Sequence, residues 1–161
     1  MTGRADPAVL FLRMEPLWST VDDVRRLVES FCAGACPGSS RDGELALAAH
    51  ELVQNAIASG ASHGVELQLE LDRRAGRARL SVTNDCPPER IPVLRARIAR
   101  AQANRDPLAG YLEAMREAPH ERGGLGLSRV RYEGGLELDL EVHGARVTVH
   151  AAGTLAAAAA P

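Results

Sequence analysis

Apolar residues change their spacing several times along the chain, and each change marks a different element of secondary structure. Residues Val21–Ala33 and Glu44–Ser59 repeat their apolar positions at intervals of three and four, which predicts two amphipathic helices. Gly60 follows the second of them as a stop signal. The apolar run Ala8–Met14 precedes both and reads as a strand. The first third of the chain therefore predicts one strand and two helices.

Two later regions alternate apolar and polar residues with a period of two, and a short turn interrupts each region. Such runs predict antiparallel hairpins with one apolar and one polar face. Each apolar face needs a cover that the helices can supply, so we predict a two-layer α/β sandwich with a mixed, mainly antiparallel sheet. The strands of the two hairpins are Val65–Leu71 with Arg77–Thr83, and Leu136–Val142 with Arg146–Ala151.

The segment between the hairpins is interrupted by prolines but carries helical patterns. A basic helix is predicted over Val93–Ala103, a shorter one opens at Pro107, and a third runs from Leu125 to Tyr132. The basic helix is interpreted either as a solvated face or as a contact for an acidic partner or a triphosphate. We predict one domain over residues 1–152, a lid-like insert at about 86–123, and a disordered alanine-rich tail at 153–161.

The overall composition narrows the class of protein. A chain of 161 residues is long enough for one domain with a real core, and aromatic residues make up only 3% of it, so that core must be aliphatic. The formal net charge of -2 gives no general attraction to nucleic acid or to acidic membrane surfaces. Charged residues interrupt the N-terminal apolar run, and no segment has the length to cross a bilayer. We expect a cytoplasmic protein.

The absence of lysine and the three cysteines restrict the reactions and metal sites that the chain can support. All 19 basic side chains are arginine, which excludes a lysine-dependent P-loop, a eukaryotic-type protein kinase and a Schiff-base enzyme. Phosphate chemistry in this chain must therefore use backbone amides, a metal ion or arginine. Cys32, Cys36 and Cys86 lack the spacing of a metal site and are predicted to be reduced core thiols.

The stretch HELVQNAIASGAS contains Glu51 and Asn55 four residues apart, on one face of the second helix. A zinc-protease helix would need a second histidine where Gln54 stands, so that chemistry is disfavoured. A carboxylate can orient or deprotonate a hydroxyl, and an amide oxygen can hold Mg²⁺, so the pair suits phosphoryl transfer. The alternative is a solvated Glu51 and an Asn55 that bonds locally.

The segment RGGLGLSRV, residues 122–130, is a glycine-rich turn that opens directly into a helix. Backbone amides exposed at Gly123, Gly124 and Gly126 could hold phosphate without a lysine. The alternative is a tight loop that joins the middle helices to the second hairpin.

Together these motifs resemble the GHKL ATP-binding superfamily, and within it the small anti-sigma-factor serine kinases. The resemblance runs from the first strand to about Ala151. ELALAAHELVQNAIASGAS is similar to the family's N-box, which implies a catalytic role for Glu51 and a Mg²⁺ ligand in Asn55. RGGLGLSRV resembles the second glycine box, which implies triphosphate contacts from Arg122, Gly123, Gly124, Leu125, Gly126 and Leu127.

The chain departs from the family at the first glycine box, where D-x-G-x-G is expected after a strand. Asn84 stands at the aspartate position and Asp85 beside it, and these two are the predicted adenine contacts. Cys86 and Pro88 stand where the family has glycines. Their side chains crowd the base, and proline also fixes φ and removes an amide donor, so we expect weak or no adenine binding.

The resemblance implies a cytoplasmic ATP-binding regulator that uses ATP and Mg²⁺. If it is active, Glu51 assists the attack of a partner serine on the γ-phosphate. The implied partner is a STAS-domain antagonist or a sigma factor, and a homodimer is left open. The alternative function is a catalytically inactive interaction module that has kept the fold without productive ATP binding.

Overall fold

Five antiparallel strands form a single sheet in the computed structural model, which describes residues 6–117 and 125–156. The strand order is β1-β2-β3-β5-β4, and every strand pairing within the described residues is antiparallel. Both predicted hairpins are present, as β2–β3 and β4–β5. The strands are β1 (Ala8–Met14), β2 (Val65–Asp72), β3 (Arg77–Asp85), β4 (Glu137–His143) and β5 (Arg146–Thr154).

Helices cover one face of the sheet, and the predicted two-layer α/β sandwich is confirmed. The second helix begins two residues before its predicted start and ends at Ala58, where Gly60 adopts a φ of 94° that stops the helix. The helices are α1 (Val21–Ala35), α2 (Asp42–Ala58), α3 (Ile91–Ala103), α4 (Pro107–Glu117) and α5 (Gly126–Tyr132).

The core lies between the helices and the sheet, with α1 packed against both α2 and β1. Strand alternation explains which residues enter it, because every second side chain of a strand points to the same face. The small residues Ala48 and Ala49 let α2 approach its neighbours closely, and both are fully buried. The core-facing side chains of β2 and β3 include Val65, Leu67, Leu69, Leu71, Ala78, Leu80 and Val82.

The insert and the C-terminal segment are described only in part. Residues 91–103 and 107–117 of the insert are α3 and α4, whereas residues 118–124 lie outside the described residues. Strand β5 continues to Thr154, two residues into the segment predicted as a tail, and residues 157–161 are also outside the description. Among the helices of the described ranges, none combines the length and the apolar character needed to cross a bilayer.

Candidate functional site

Helix α2 places Glu51 and Asn55 in the interior of the protein. Glu51 is 7% exposed and Asn55 is 5% exposed, so Glu51 is not the solvated side chain that the alternative interpretation expected. Removing a carboxylate from water carries a large free-energy cost unless a counter-charge or hydrogen bonds compensate for it. The surroundings of each side chain therefore decide what it can do.

Arg129 of α5 supplies the counter-charge for Glu51. Its Nη1 donates to Glu51 Oε1 at 2.5 Å, and its Nε donates to Glu133 Oε1 at 2.9 Å. The hydrogen bond to Glu133 and the charge of Glu51 together raise the pKa of Arg129, against the opposing effect of burial. The same hydrogen bond lowers the pKa of Glu133. One guanidinium thus holds two carboxylates at this point of the fold.

Gly126 brings the start of α5 against the Glu51 carboxylate. A Cβ atom at this position would lie only 2.6 Å from Glu51 Oε2, so a larger residue would displace the carboxylate. Leu127, the next residue, points into the hydrophobic core and is 2% exposed. Of the residues predicted to contact the triphosphate, Gly126 therefore lies beside Glu51 and Leu127 has a packing role.

A cavity of about 450 Å³ opens over the Glu51–Arg129 pair. The ring of Tyr111, from α4, forms one wall and stacks on Tyr132 with 5.4 Å between ring centroids. The cavity holds two carboxylates and one guanidinium, and its lining residues are His50, Glu51, Gln54, Tyr111, Leu125, Gly126, Arg129 and Glu133. Leu125 and Gly126 thus reach the same cavity as Glu51, while Arg122, Gly123 and Gly124 lie outside the described residues.

Asn55 does not line this cavity, although it lies one turn beyond Glu51 on the same helix. Its side-chain Oδ1 is buried and accepts no hydrogen bond from the described residues. Such an acceptor can receive an N–H donor or coordinate a cation. The described ranges contain no group of three or more His, Cys, Asp or Glu side chains that could hold a metal ion.

The two predicted adenine contacts point to opposite faces of the sheet. Asn84 faces the helices, is 4% exposed, and donates through Nδ2 to the backbone oxygen of Asp85 at 2.7 Å. Asp85 faces the other way and accepts hydrogen bonds from the Ser62 hydroxyl and from the backbone N–H groups of Ser62 and His63. Burial acts to raise the pKa of Asp85, but these hydrogen bonds outweigh it and hold that pKa well below its ordinary value.

Cys86 and Pro87 fill the space beside Asn84. Cys86 is 1% exposed, its N–H donates to the Ala145 oxygen at 2.7 Å, and burial raises the pKa of its thiol. A Cβ at Gly60 would lie 3.2 Å from the Pro87 ring, so these two segments are already in close contact. Pro88, which the sequence comparison expected to crowd the base, is exposed. The buried Cys86 and the Pro87–Gly60 contact are thus the described packing around Asn84 at the end of β3.

Arg129 received no role from the sequence. It belongs to the RGGLGLSRV segment, and the available signal was a charged residue three positions after Gly126 on a short helix. Because a helical turn brings residues three and four apart to one side, Arg129 reaches the same carboxylate that Gly126 touches. Glu133 lies one further turn along and completes the cluster.

Comparison with solved structures finds a similar fold in a chain of the crystal structure of the SiaB–SiaC complex from Pseudomonas aeruginosa. The TM-score is 0.66, the match covers 92% of this chain and 90% of that chain, and the sequence identity is 16%. At this identity the similarity establishes the architecture and not the activity. No protein-family model matches the chain, and no curated protein matches its sequence.

Proposed function

We propose that the chain is a regulatory protein with a GHKL-like fold that acts by binding a protein partner and does not use ATP productively. The observation that carries the proposal is the ion pair between Arg129 and Glu51. In the active kinases that the N-box resembles, this carboxylate assists the attacking hydroxyl. Here a permanently charged donor occupies it.

The geometry around Glu51 supports a non-catalytic role. A general base must come within about 3 Å of the hydroxyl that it activates, with a free oxygen directed at it. Oε1 of Glu51 accepts from Arg129, and Oε2 lies against Gly126. While α5 keeps this position, Arg129 competes with a partner serine for Oε1, and the backbone at Gly126 restricts the approach to Oε2.

The end of β3, which carries the two predicted adenine contacts, supports the same proposal. Asn84 uses its amide on the backbone of its own strand, Cys86 is buried where the family has its first glycine, and the neighbouring Pro87 packs beside Gly60. A nucleotide would have to displace these side chains before its base could reach the sheet. Weak or absent ATP binding is the expected consequence.

The structural neighbour supports partner binding, because it belongs to a complex of two proteins. A regulator without catalytic turnover still works by sequestering its partner, and it needs only a complementary surface for that purpose. The resemblance to anti-sigma kinases implies that the partner is a STAS-domain protein or a sigma factor.

A second candidate function is a Mg²⁺-dependent serine kinase, and one observation favours it. The Oδ1 atom of Asn55 is a buried acceptor without a hydrogen-bond donor among the described residues. Orphaned buried acceptors are uncommon and call for an explanation, which a bound cation would provide. Glu51, one turn away on α2, is the carboxylate that this function would use.

Calorimetric titration with ATP, in the presence and absence of Mg²⁺, separates the two candidates. We expect no binding by the wild-type chain at ATP concentrations up to about 1 mM, which corresponds to about -4 kcal/mol. Mg²⁺-dependent binding at low micromolar ATP that is lost in Asn55→Ala would overturn the proposal and favour the kinase. Gln68→Ala, on the helix-free face of β2, is the matched control because it lies away from α2.

Partner binding is tested with purified STAS-domain proteins and sigma factors from the source organism, mixed with the chain and separated by size-exclusion chromatography. The proposal expects a stable complex with one of them without nucleotide. A complex that forms only when Mg·ATP is added would contradict it, and so would the failure of every candidate to bind.

A further inference from the structure

Three polar side chains, Ser81, His150 and Glu141, form a hydrogen-bonded row on the helix-free face of the sheet. Ser81 lies between the core residues Leu80 and Val82 and therefore points to the opposite face. It stands opposite His150 in the β3–β5 pairing, with its Oγ 2.8 Å from His150 Nδ1. Glu141 of β4 lies diagonally across from His150, with its Oε2 3.2 Å from His150 Nε2. The row joins a hydroxyl, an imidazole and a carboxylate in the order that activates a hydroxyl nucleophile.

Arg79 determines which nitrogen of the neutral His150 ring carries the proton. Its Nη2 lies 3.3 Å from His150 Nδ1, and a guanidinium can only donate, so Nδ1 is the acceptor. The ring proton therefore lies on Nε2, which donates to Glu141. The Ser81 hydroxyl donates to Nδ1, because that nitrogen offers it only a lone pair. Nδ1 is thus placed to remove the Ser81 proton as a general base.

Glu141 holds the imidazole in this orientation. Its Oε1 accepts from His143 Nε2 at 2.6 Å, while its Oε2 accepts from His150. The hydrogen bonds from His143 and His150 lower the pKa of Glu141, so the carboxylate is ionised at neutral pH. An ionised carboxylate favours the imidazolium that forms when His150 takes a proton. The side chain of His150 is 13% exposed and that of Glu141 is 53% exposed, so the base is the better shielded of the two.

We propose that Ser81 is a nucleophile for acyl transfer and that this face of the sheet hydrolyses small carboxylic esters. Ser81 Oγ attacks the carbonyl carbon while His150 Nδ1 takes its proton, and the oxyanion forms beside the Arg79 guanidinium. When the carbonyl re-forms, the bond to the leaving oxygen breaks and His150 returns the proton to that oxygen. A water molecule that His150 activates in the same way then cleaves the acyl-serine, which releases the carboxylic acid and restores Ser81.

The neighbouring strands indicate which esters fit best. Gln68 stands between Ser81 and Phe11 in the same cross-strand row, and Phe11 is 58% exposed. Val9, on the same face of β1, is 50% exposed. Adjacent strands lie about 4.8 Å apart, so an apolar acyl chain on Ser81 would meet this surface at roughly 10 Å. We expect p-nitrophenyl hexanoate to react faster than the acetate, with a high KM because an open sheet gives the substrate few contacts.

A fluorophosphonate probe tests the nucleophile, because it bonds covalently to an activated serine with loss of fluoride. The full wild-type chain should gain one probe mass, and peptide mapping should place it on Ser81. Ser81→Ala should not be labelled. Thr83→Val is the matched control and should be labelled like the wild type, since the Thr83 hydroxyl lies on the same face but is 2.8 Å from the hydroxyl of Thr148 instead of a histidine. This test is independent of nucleotide and partner binding, so its outcome is separate from that of the proposed function.

Hydrolysis of p-nitrophenyl hexanoate by the full chain assigns the remaining roles. His150→Gln should lower kcat about 100-fold, at the lower end of the usual contribution of a general base. Glu141→Gln should lower kcat less and leave KM unchanged, because this residue acts through His150. Circular dichroism checks the fold of each variant. A wild-type chain that is not labelled at Ser81, hydrolysis that is unchanged in Ser81→Ala, or labelling of folded His150→Gln at the wild-type rate would overturn the proposal.

Discussion

Helix α2 carries two buried polar side chains one turn apart, and their surroundings differ. At Glu51 the neighbouring helix supplies Arg129, and a cavity of about 450 Å³ opens above the ion pair. At Asn55 the amide oxygen has no donor among the described residues and does not line that cavity. The Glu51 carboxylate therefore has a counter-charge and reaches a cavity. The Asn55 amide oxygen has neither a donor among the described residues nor access to that cavity.

The difference shows that neighbouring elements determine the surroundings of two polar side chains that lie one turn apart on the same helix. Glu51 and Asn55 share a face of α2, but α5 contributes an arginine to Glu51 alone. Near the end of β3, Cys86 occupies a buried position where the family pattern has a glycine.

The strongest test of the comparison removes the counter-charge at Glu51. Arg129→Met keeps much of the side-chain volume but leaves a buried carboxylate without its partner. Breaking a buried pair in this way costs about 3–5 kcal/mol, and the partial exposure of Arg129 reduces the expected loss here to roughly 2–3 kcal/mol. Urea unfolding at pH 7 measures it.

A double-mutant cycle with Glu51→Gln assigns the effect to the pair. The two substitutions should be non-additive, with a coupling of about 1–2 kcal/mol, because each removes the same interaction. Glu133→Gln is the matched control, since the exposed Arg129–Glu133 pair should contribute less than about 1 kcal/mol. Additive losses for Arg129→Met and Glu51→Gln would show that the ion pair does not stabilise the site.

The close approach of α5 to Glu51 gives the next largest effect. Gly126→Ala should cost about 1–3 kcal/mol, because the new Cβ would lie 2.6 Å from Glu51 Oε2 and must displace a carboxylate that Arg129 holds. Gly43→Ala, in the first turn of α2 with no atom within 4 Å of the new Cβ, should be neutral or slightly stabilising. Equal unfolding midpoints for the two variants would contradict the contact.

The architecture could be predicted from the sequence because its signals are local. Alternation along β2 and β3, and helical spacing along α1 and α2, each specify an element within a few residues of its observed ends. The hairpin turns then determine the β2–β3 and β4–β5 pairings, and the apolar faces determine where the helices pack. All of this information lies in short segments of the chain.

The site could be predicted only in part because its decisive contacts are long-range. Arg129 is 78 residues from Glu51 along the chain, and no periodicity connects them. Asp85 reaches Ser62 and His63 across the end of the sheet, so its role as an anchor for that loop followed from the fold alone. The turn after β3 leaves Pro88 exposed and places the Pro87 ring beside Gly60, and no local pattern in the sequence distinguishes these two prolines.

A smaller effect is expected at Asp85, whose hydrogen bonds hold Ser62 and His63 beside the end of β3. Because its pKa is lowered in the folded state, its stabilising effect is present above the ordinary aspartate pKa of about 3.9 and is lost as the pH falls through the lowered value. Asp85→Asn should therefore lose about 1 kcal/mol at pH 7, and this difference should narrow below about pH 4. Thermal unfolding from pH 7 to pH 3 measures it, with Asp139→Asn as the exposed control. A difference that stayed constant over that range would contradict the role of the charge.

The smallest effect concerns Asn55 and has the opposite sign. An orphaned buried acceptor lowers stability, so Asn55→Leu, which has a similar volume and no polar atom, should be neutral or raise the free energy of unfolding by up to about 1 kcal/mol. The measurement is made in urea with EDTA and repeated with 10 mM Mg²⁺, about the concentration at which a weak site would fill. Under the proposed function, Mg²⁺ changes neither midpoint, because the wild-type chain binds no cation at Asn55. If Mg²⁺ instead stabilises the wild-type chain and leaves Asn55→Leu unchanged, the amide oxygen is a metal ligand. In that case the end of α2 that carries Asn55 is the functional one, and cation binding must rearrange the ion pair between Glu51 and Arg129.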